Sequence, residues 1–88
     1  MLRITRLRED QATCLRLEGK LVGPWVNVAR EACEQEASRS RPIALDLSEV
    51  TFVDAEGLSL LRALRASGVE LRECSNFVAE LLRLEKTS

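Results

Sequence analysis

The 88-residue chain contains no histidine. Zinc therefore loses its commonest partner side chain, and hydroxyls such as those of Ser48 and Ser59 have no imidazole base to activate them. Aromatic residues make up only 3%, namely Trp25, Phe52 and Phe77. The core must be aliphatic, and stacking platforms for single-stranded nucleic acid are missing. Thirteen basic residues face fourteen acidic ones, for a net charge of −1. The basic residues are interspersed with acids and form no stripe for a phosphate backbone. Cysteine is scarce and odd in number: Cys14, Cys33 and Cys74 form no Cys-x-x-Cys pair. Each sits in an apolar pattern and reads as a small buried hydrophobe. No apolar run approaches membrane-spanning length. The start, Met1-Leu2-Arg3-Ile4, alternates and lacks a signal-peptide core. These absences point to a cytoplasmic domain with no direct membrane insertion, no nucleic acid, no metal and no cofactor.

What is present is ordinary for a globular protein, with 45% hydrophobic and 31% charged residues. The length suits a single domain over residues 1–88, which buries roughly two-thirds of its unfolded surface. Leu2 and Ile4 alternate with Arg3 and Thr5, as in a half-buried strand. After the polar turn Glu9-Asp10-Gln11, Thr13, Leu15 and Leu17 alternate with Cys14, Arg16 and Glu18, giving a second strand in a hairpin with the first. Gly19 to Gly23 is expected to be a loop. Pro24 then opens a helix, since proline at the first helical position loses no needed N–H. Trp25, Ala29, Ala32, Cys33 and Ala37 form its inner face; Asn27, Arg30, Glu31 and Glu34 form its outer face. Ser38 to Pro42, with Arg39 and Arg41, reads as a solvated loop that ends it.

Ile43, Leu45 and Leu47 form the most strand-like segment, with Ala44 and Asp46 on its other face. Ser48-Glu49-Val50 is expected to leave that strand before Thr51-Phe52-Val53 extends again. Asp54 caps a helix from about Ala55 to Ser67, with Glu56 at the positive end of its dipole. Gly68 closes it in a left-handed conformation. Val69 to Arg72 is a fourth strand. Ser75 caps a last helix carrying Phe77, Val78, Leu81 and Leu82 on one side. The order β-β-α-β-α-β-α implies an α/β fold with two layers: a mixed four-stranded sheet and three helices mainly on one face.

The run Asp46-Leu47-Ser48, then Phe52-Val53-Asp54, then Gly57-Leu58 resembles the core motif of STAS domains. That fold is shared by anti-sigma-factor antagonists and the cytoplasmic tails of sulphate transporters. Leu17-x-Gly19 before the first helix, and Cys74-Ser75 before Phe77-Val78, also fit. The resemblance implies a non-enzymatic, regulatory protein–protein interaction module of the bacterial signalling type. It also implies a protein partner: a switch kinase, an anti-sigma factor, or a regulatory or transport assembly. The implied contact surface comprises Asp54, Ala55, Glu56, Gly57, Leu58, Ser59 and Arg62. Other readings are a STAS-type accessory subunit of a membrane transporter, or a small-ligand or nucleotide-binding domain. The chain departs from the family in two ways. Regulated members carry a phosphorylatable serine where this chain has Ala55, so no phosphosite is expected at the usual position. Members commonly continue with a further strand and helix, so this chain is a minimal version. Homodimerisation is left open.

Asp46 and Asp54 invite reading as a catalytic carboxylate pair. A helix cap and a strand-end residue bonded to nearby backbone explain them more simply. Thr51 and Ser59 are alternative phosphosites, set against plain turn and surface hydroxyls. Cys74 precedes a helix N-terminus, where a thiol pKa can fall. Gly19, Gly23, Gly57 and Gly68 do not space as a phosphate-binding loop. Trp25 is expected in the core.

Overall fold

A computed structural model describes residues 2–9, 11–37 and 42–86, with side chains described as far as residue 82. The expected loop at Ser38 to Arg41 lies outside these residues. Seven elements follow one another: β1 (Leu2–Arg8), β2 (Thr13–Leu21), α1 (Pro24–Ala37), β3 (Ile43–Val53), α2 (Ala55–Ala66), β4 (Glu70–Arg72) and α3 (Asn76–Lys86). The sheet order is β1-β2-β3-β4. β1 and β2 are antiparallel; β2–β3 and β3–β4 are parallel. The mixed sheet and the βαβ connections agree with the order read from the sequence.

Alternation divides the sheet into two faces. Leu15, Leu17, Leu45 and Leu47 point under the helices and are fully buried or nearly so. They meet Val26, Ala29 and Cys33 of α1, Leu60 and Leu61 of α2, and Val78 and Leu82 of α3 in one core. Burial of this apolar surface is the main stabilising term, about 25 cal/mol per Å² removed from water. The opposite face carries Arg16 beside Asp46, linked at 3.3 Å. Arg72, in register with Asp46, pairs with Glu9 at 3.1 Å and Glu70 at 3.3 Å. Cys14 and Ala44, adjacent in register, are nonetheless buried on this face.

Three expectations need correction. β3 does not break at Ser48-Glu49-Val50. It is one strand of eleven residues beside a nine-residue β2. Its extra residues enter at two register shifts, between Arg16/Glu18 and Gly19/Lys20 of β2. Bulges disturb the period-two alternation, so Val50 and Val53 are the buried positions past Leu47. β2 likewise continues through Gly19, Lys20 and Leu21, where a loop was expected, and Leu21 is fully buried. On α1 the inner face is rotated: Val26, not Trp25, lies in the core, while Ala37 is exposed. Trp25 packs half-buried against the core edge. Glu36 is also buried, its carboxylate 3.0 Å from Arg6 Nε of β1.

Candidate partner-binding site

The turn between β3 and α2 is built around one carboxylate. Asp54 is extended, with φ −84° and ψ −177°. Gly57 N–H donates to its Oδ1 at 2.8 Å, satisfying an otherwise orphaned donor of the first helical turn. Gly23 N–H donates to its Oδ2 at 2.9 Å, so the same group also holds the loop that opens α1. The bonds from Gly23 and then Gly57 hold the Asp54 carboxyl below the usual aspartate range. The backbone adds Asp54 N–H to Leu21 O at 3.3 Å and Leu58 N–H to Asp54 O at 2.9 Å.

Gly57 faces inward. A Cβ on it would stand 2.5 Å from the Leu21 carbonyl oxygen and 2.8 Å from Val53 Cγ1. Glycine is required here because the helix backbone lies directly on the strand end, not because φ is unusual. The remaining motif residues divide by exposure. Ala55, Glu56, Ser59 and Arg62 are exposed, Asp54 and Leu58 are half-buried, and Gly57 is buried. Glu56 sits in the first turn, at the positive end of the helix. Ala55 offers no hydroxyl. Thr51 is exposed, and its hydroxyl donates to Gly19 O at 3.2 Å across the second bulge.

Phe52, in the strand that leads into the turn, forms an aromatic pair with Phe77 of α3. Phe77 was expected on the inner side of α3, with Val78, Leu81 and Leu82. Val78 and Leu82 are buried, but Phe77 is 37% and Phe52 46% exposed. Their rings stack with centroids 5.5 Å apart. Two of the three aromatics thus meet at the surface, one of them, Phe52, two residues before Asp54 along the chain, while the core is aliphatic. The signal available in the sequence was the position of Phe77 in the first turn after Ser75. There Val78, at the third position of the helix, takes the inward direction.

Ser75 anchors α3 to the sheet. Its N–H donates to Leu47 O at 3.1 Å and its hydroxyl to Val50 O at 2.8 Å. Val78 N–H donates back to that hydroxyl at 3.3 Å.

Asp46 and Asp54 do not share a site. Asp46 Oδ1 accepts from Ser48 N–H at 3.0 Å and from Ser48 Oγ at 2.7 Å, and its Oδ2 accepts from Arg16. These bonds, that from the Ser48 N–H foremost, lower the Asp46 pKa. Both carboxylates are thus ionised structural acceptors, poorly suited to proton transfer near neutrality. Burial pushes the Cys74 thiol up, despite its place before α3, and pushes Cys33 to about 11, so neither is a ready thiolate. Among the described residues, no group of three or more His, Cys, Asp or Glu could hold a metal ion. Nor is any helix among them long and apolar enough to cross a membrane.

Comparison with known proteins agrees with this architecture. Residues 4–85 match the family model described as "Mlab, STAS domain". No curated protein matches the chain. Among the solved structures that match, one described as "Crystal Structure Analysis of Mglu" superposes with a TM-score of 0.66 at 24% identity. The match covers 82% of this chain but only 20% of that one. At this identity the likeness shows the fold alone.

Proposed function

The chain belongs to the STAS domain family, and from that premise we propose that it is a non-enzymatic interaction module whose β3–α2 turn docks onto a protein partner in the cytoplasm. The observation that carries this reading is a doubly hydrogen-bonded base beneath an exposed, mixed surface. Asp54 holds two loops through one carboxylate, while Ala55, Glu56, Ser59 and Arg62 lie exposed above it. Phe52, two residues before Asp54 in the chain, carries the exposed stack with Phe77. Preorganisation lowers the ordering cost of association, and aromatic anchors dominate interface energies. The partner class is the one the family resemblance implies, a switch kinase or an anti-sigma factor. With Ala55 in place of the serine, docking is not gated by phosphate at that position.

The test is residue-specific photo-crosslinking in native lysate, with the crosslinker at Ser59 and, as control, at the exposed Glu34 on α1. A single protein of the kinase or anti-sigma class captured from Ser59 and not from Glu34 supports the reading. Equal capture from both positions, or capture abolished neither by Phe52→Ser nor by Glu56→Arg, sinks it. Truncating a central aromatic anchor should weaken binding by roughly 2 kcal/mol, about thirtyfold.

A further inference from the structure

The two edges of the sheet differ. β4 offers three residues, Glu70–Arg72, whereas β1 offers seven, Leu2–Arg8. Among the described residues, β1 pairs with β2 alone. An edge strand of this length turns a row of backbone N–H and C=O groups outward and can template a further strand. Its charge is one-sided: Arg3, Arg6 and Arg8, with no acid, and all three are exposed. Arg6 is engaged by Glu36 at 3.0 Å and by Gln35 at 2.9 Å. Arg3 stands opposite Glu18 in register without forming an ion pair, and among the described residues Arg8 has no ion-pair partner. Alongside the strand, Ile4 and Arg6 line an open groove with Val28, Glu31, Ala32 and Gln35 of α1. Val28 is 44% exposed there.

We propose that β1 is a second docking edge, independent of the β3–α2 turn, which accepts an extended acidic segment of another protein as an added antiparallel strand. Charge selects the occupant. A second copy pairing antiparallel over Leu2–Arg8 would put six arginines and no acid on one two-stranded ribbon, with the two Arg6 side chains as diagonal neighbours, a concentration of like charge that disfavours it. An acidic strand removes that cost and neutralises Arg3 and Arg8.

The register then dictates a pattern. Arg8 and Ile4 project to the helix side of β1 and Arg3 to the open side, as alternation requires. Along an antiparallel partner, an acid facing Arg8 is followed four positions later by an apolar residue facing Ile4 and the groove, and in the next position by an acid facing Arg3. The residue facing Arg6 should not be acidic, because Glu36 already engages that guanidinium and Glu31 lies on the groove rim. Main-chain bonding supplies affinity in this mode, and side chains supply selection.

The probe is a blocked, fluorophore-labelled peptide, Glu-Thr-Gln-Thr-Val-Glu-Val, titrated with the full chain and followed by fluorescence anisotropy. Saturable binding is expected, with added hydrogen-exchange protection confined to β1. The Arg3→Glu, Arg8→Glu double variant should bind at least about tenfold more weakly. A peptide with lysine in place of both glutamates should bind that variant and not the native chain, a reciprocal swap that a misfolded variant would not produce. Variants of Glu56 and Ser59 should leave peptide binding unchanged, which separates failure of this edge from failure of the turn. No saturable binding to the native chain overturns the proposal. So does equal binding of the two peptides by the native chain, or a native dimer in sedimentation that the double variant dissolves.

Discussion

The N-termini of α2 and α3 use the same local device to opposite ends. Each follows a strand, each begins on a short oxygen-bearing cap, and in each the cap accepts from the N–H three residues on: Gly57 for Asp54, Val78 for Ser75. At that third position the two helices part. Gly57 brings the α2 backbone directly onto the Leu21 carbonyl and Val53, whereas Val78 carries a fully buried side chain that spaces α3 off the sheet. Close approach fixes α2 as a rigid platform. A stand-off helix leaves room at its rim, where Phe77 turns outward onto Phe52. The cap alone does not decide what a helix terminus does; the residue three positions in decides how near the sheet it lies.

Giving α2 the side chain that α3 carries is the most disruptive of these changes. Gly57→Val forces the helix away from a backbone carbonyl 2.5 Å from the new Cβ. Overpacking of this kind should cost about 3 kcal/mol, lowering Tm by more than about 10 °C for a domain of this size. Thermal unfolding by circular dichroism measures it, and a drop of only a degree or two would show that α2 is not backbone-seated. The converse change, Val78→Ala, deletes buried methyls from α3. A loss of about 2 kcal/mol is expected from urea denaturation, part transfer and part cavity.

The two caps differ in their response to pH. The Asp54 carboxyl is held low by its bonds from Gly23 and Gly57. A folded pKa below the unfolded value, about 3.9 for aspartate, stabilises the fold fully above that pH. The contribution is lost as pH falls through the lower folded value. Asp46 acts with the same sign, so Asp54→Asn should flatten the acid limb of the stability curve without abolishing it. An unchanged acid limb would show that the carboxylate charge is not what holds the two loops. Ser75→Ala should be the mildest change, about 1 kcal/mol, and should leave the shape of the pH curve alone because a hydroxyl does not titrate in this range.

Much of this was legible in advance. The element order, the Asp54 cap, the closing Gly68 and the family motif all follow from local patterns that tertiary packing did not override. What was not legible has a common cause in geometry between distant segments. The continuity of β3 through Ser48-Glu49-Val50 depends on bulges against β2, and bulges erase the alternation by which a strand is recognised. The rotation of α1 that buries Glu36 depends on Arg6, thirty positions earlier in a different element. In the candidate site, the motif spacing identified the turn but not which of its residues face inward. Gly57 reads alike whether it admits a partner or the protein's own strand, and only the position of Leu21 separates the two. The outward turn of Phe77 was hidden for a similar reason, since its partner Phe52 lies at the far end of β3.

The bond from the Gly23 amide to Asp54 has a spectroscopic consequence. That amide belongs to a loop, yet its acceptor is a side chain thirty-one residues away in sequence. Its proton chemical shift, and its rate of exchange with solvent, therefore report on the α2 terminus and not on the loop that carries it. A single glycine cross-peak then becomes a built-in gauge: it should move when something settles on the turn and hold still when something binds elsewhere.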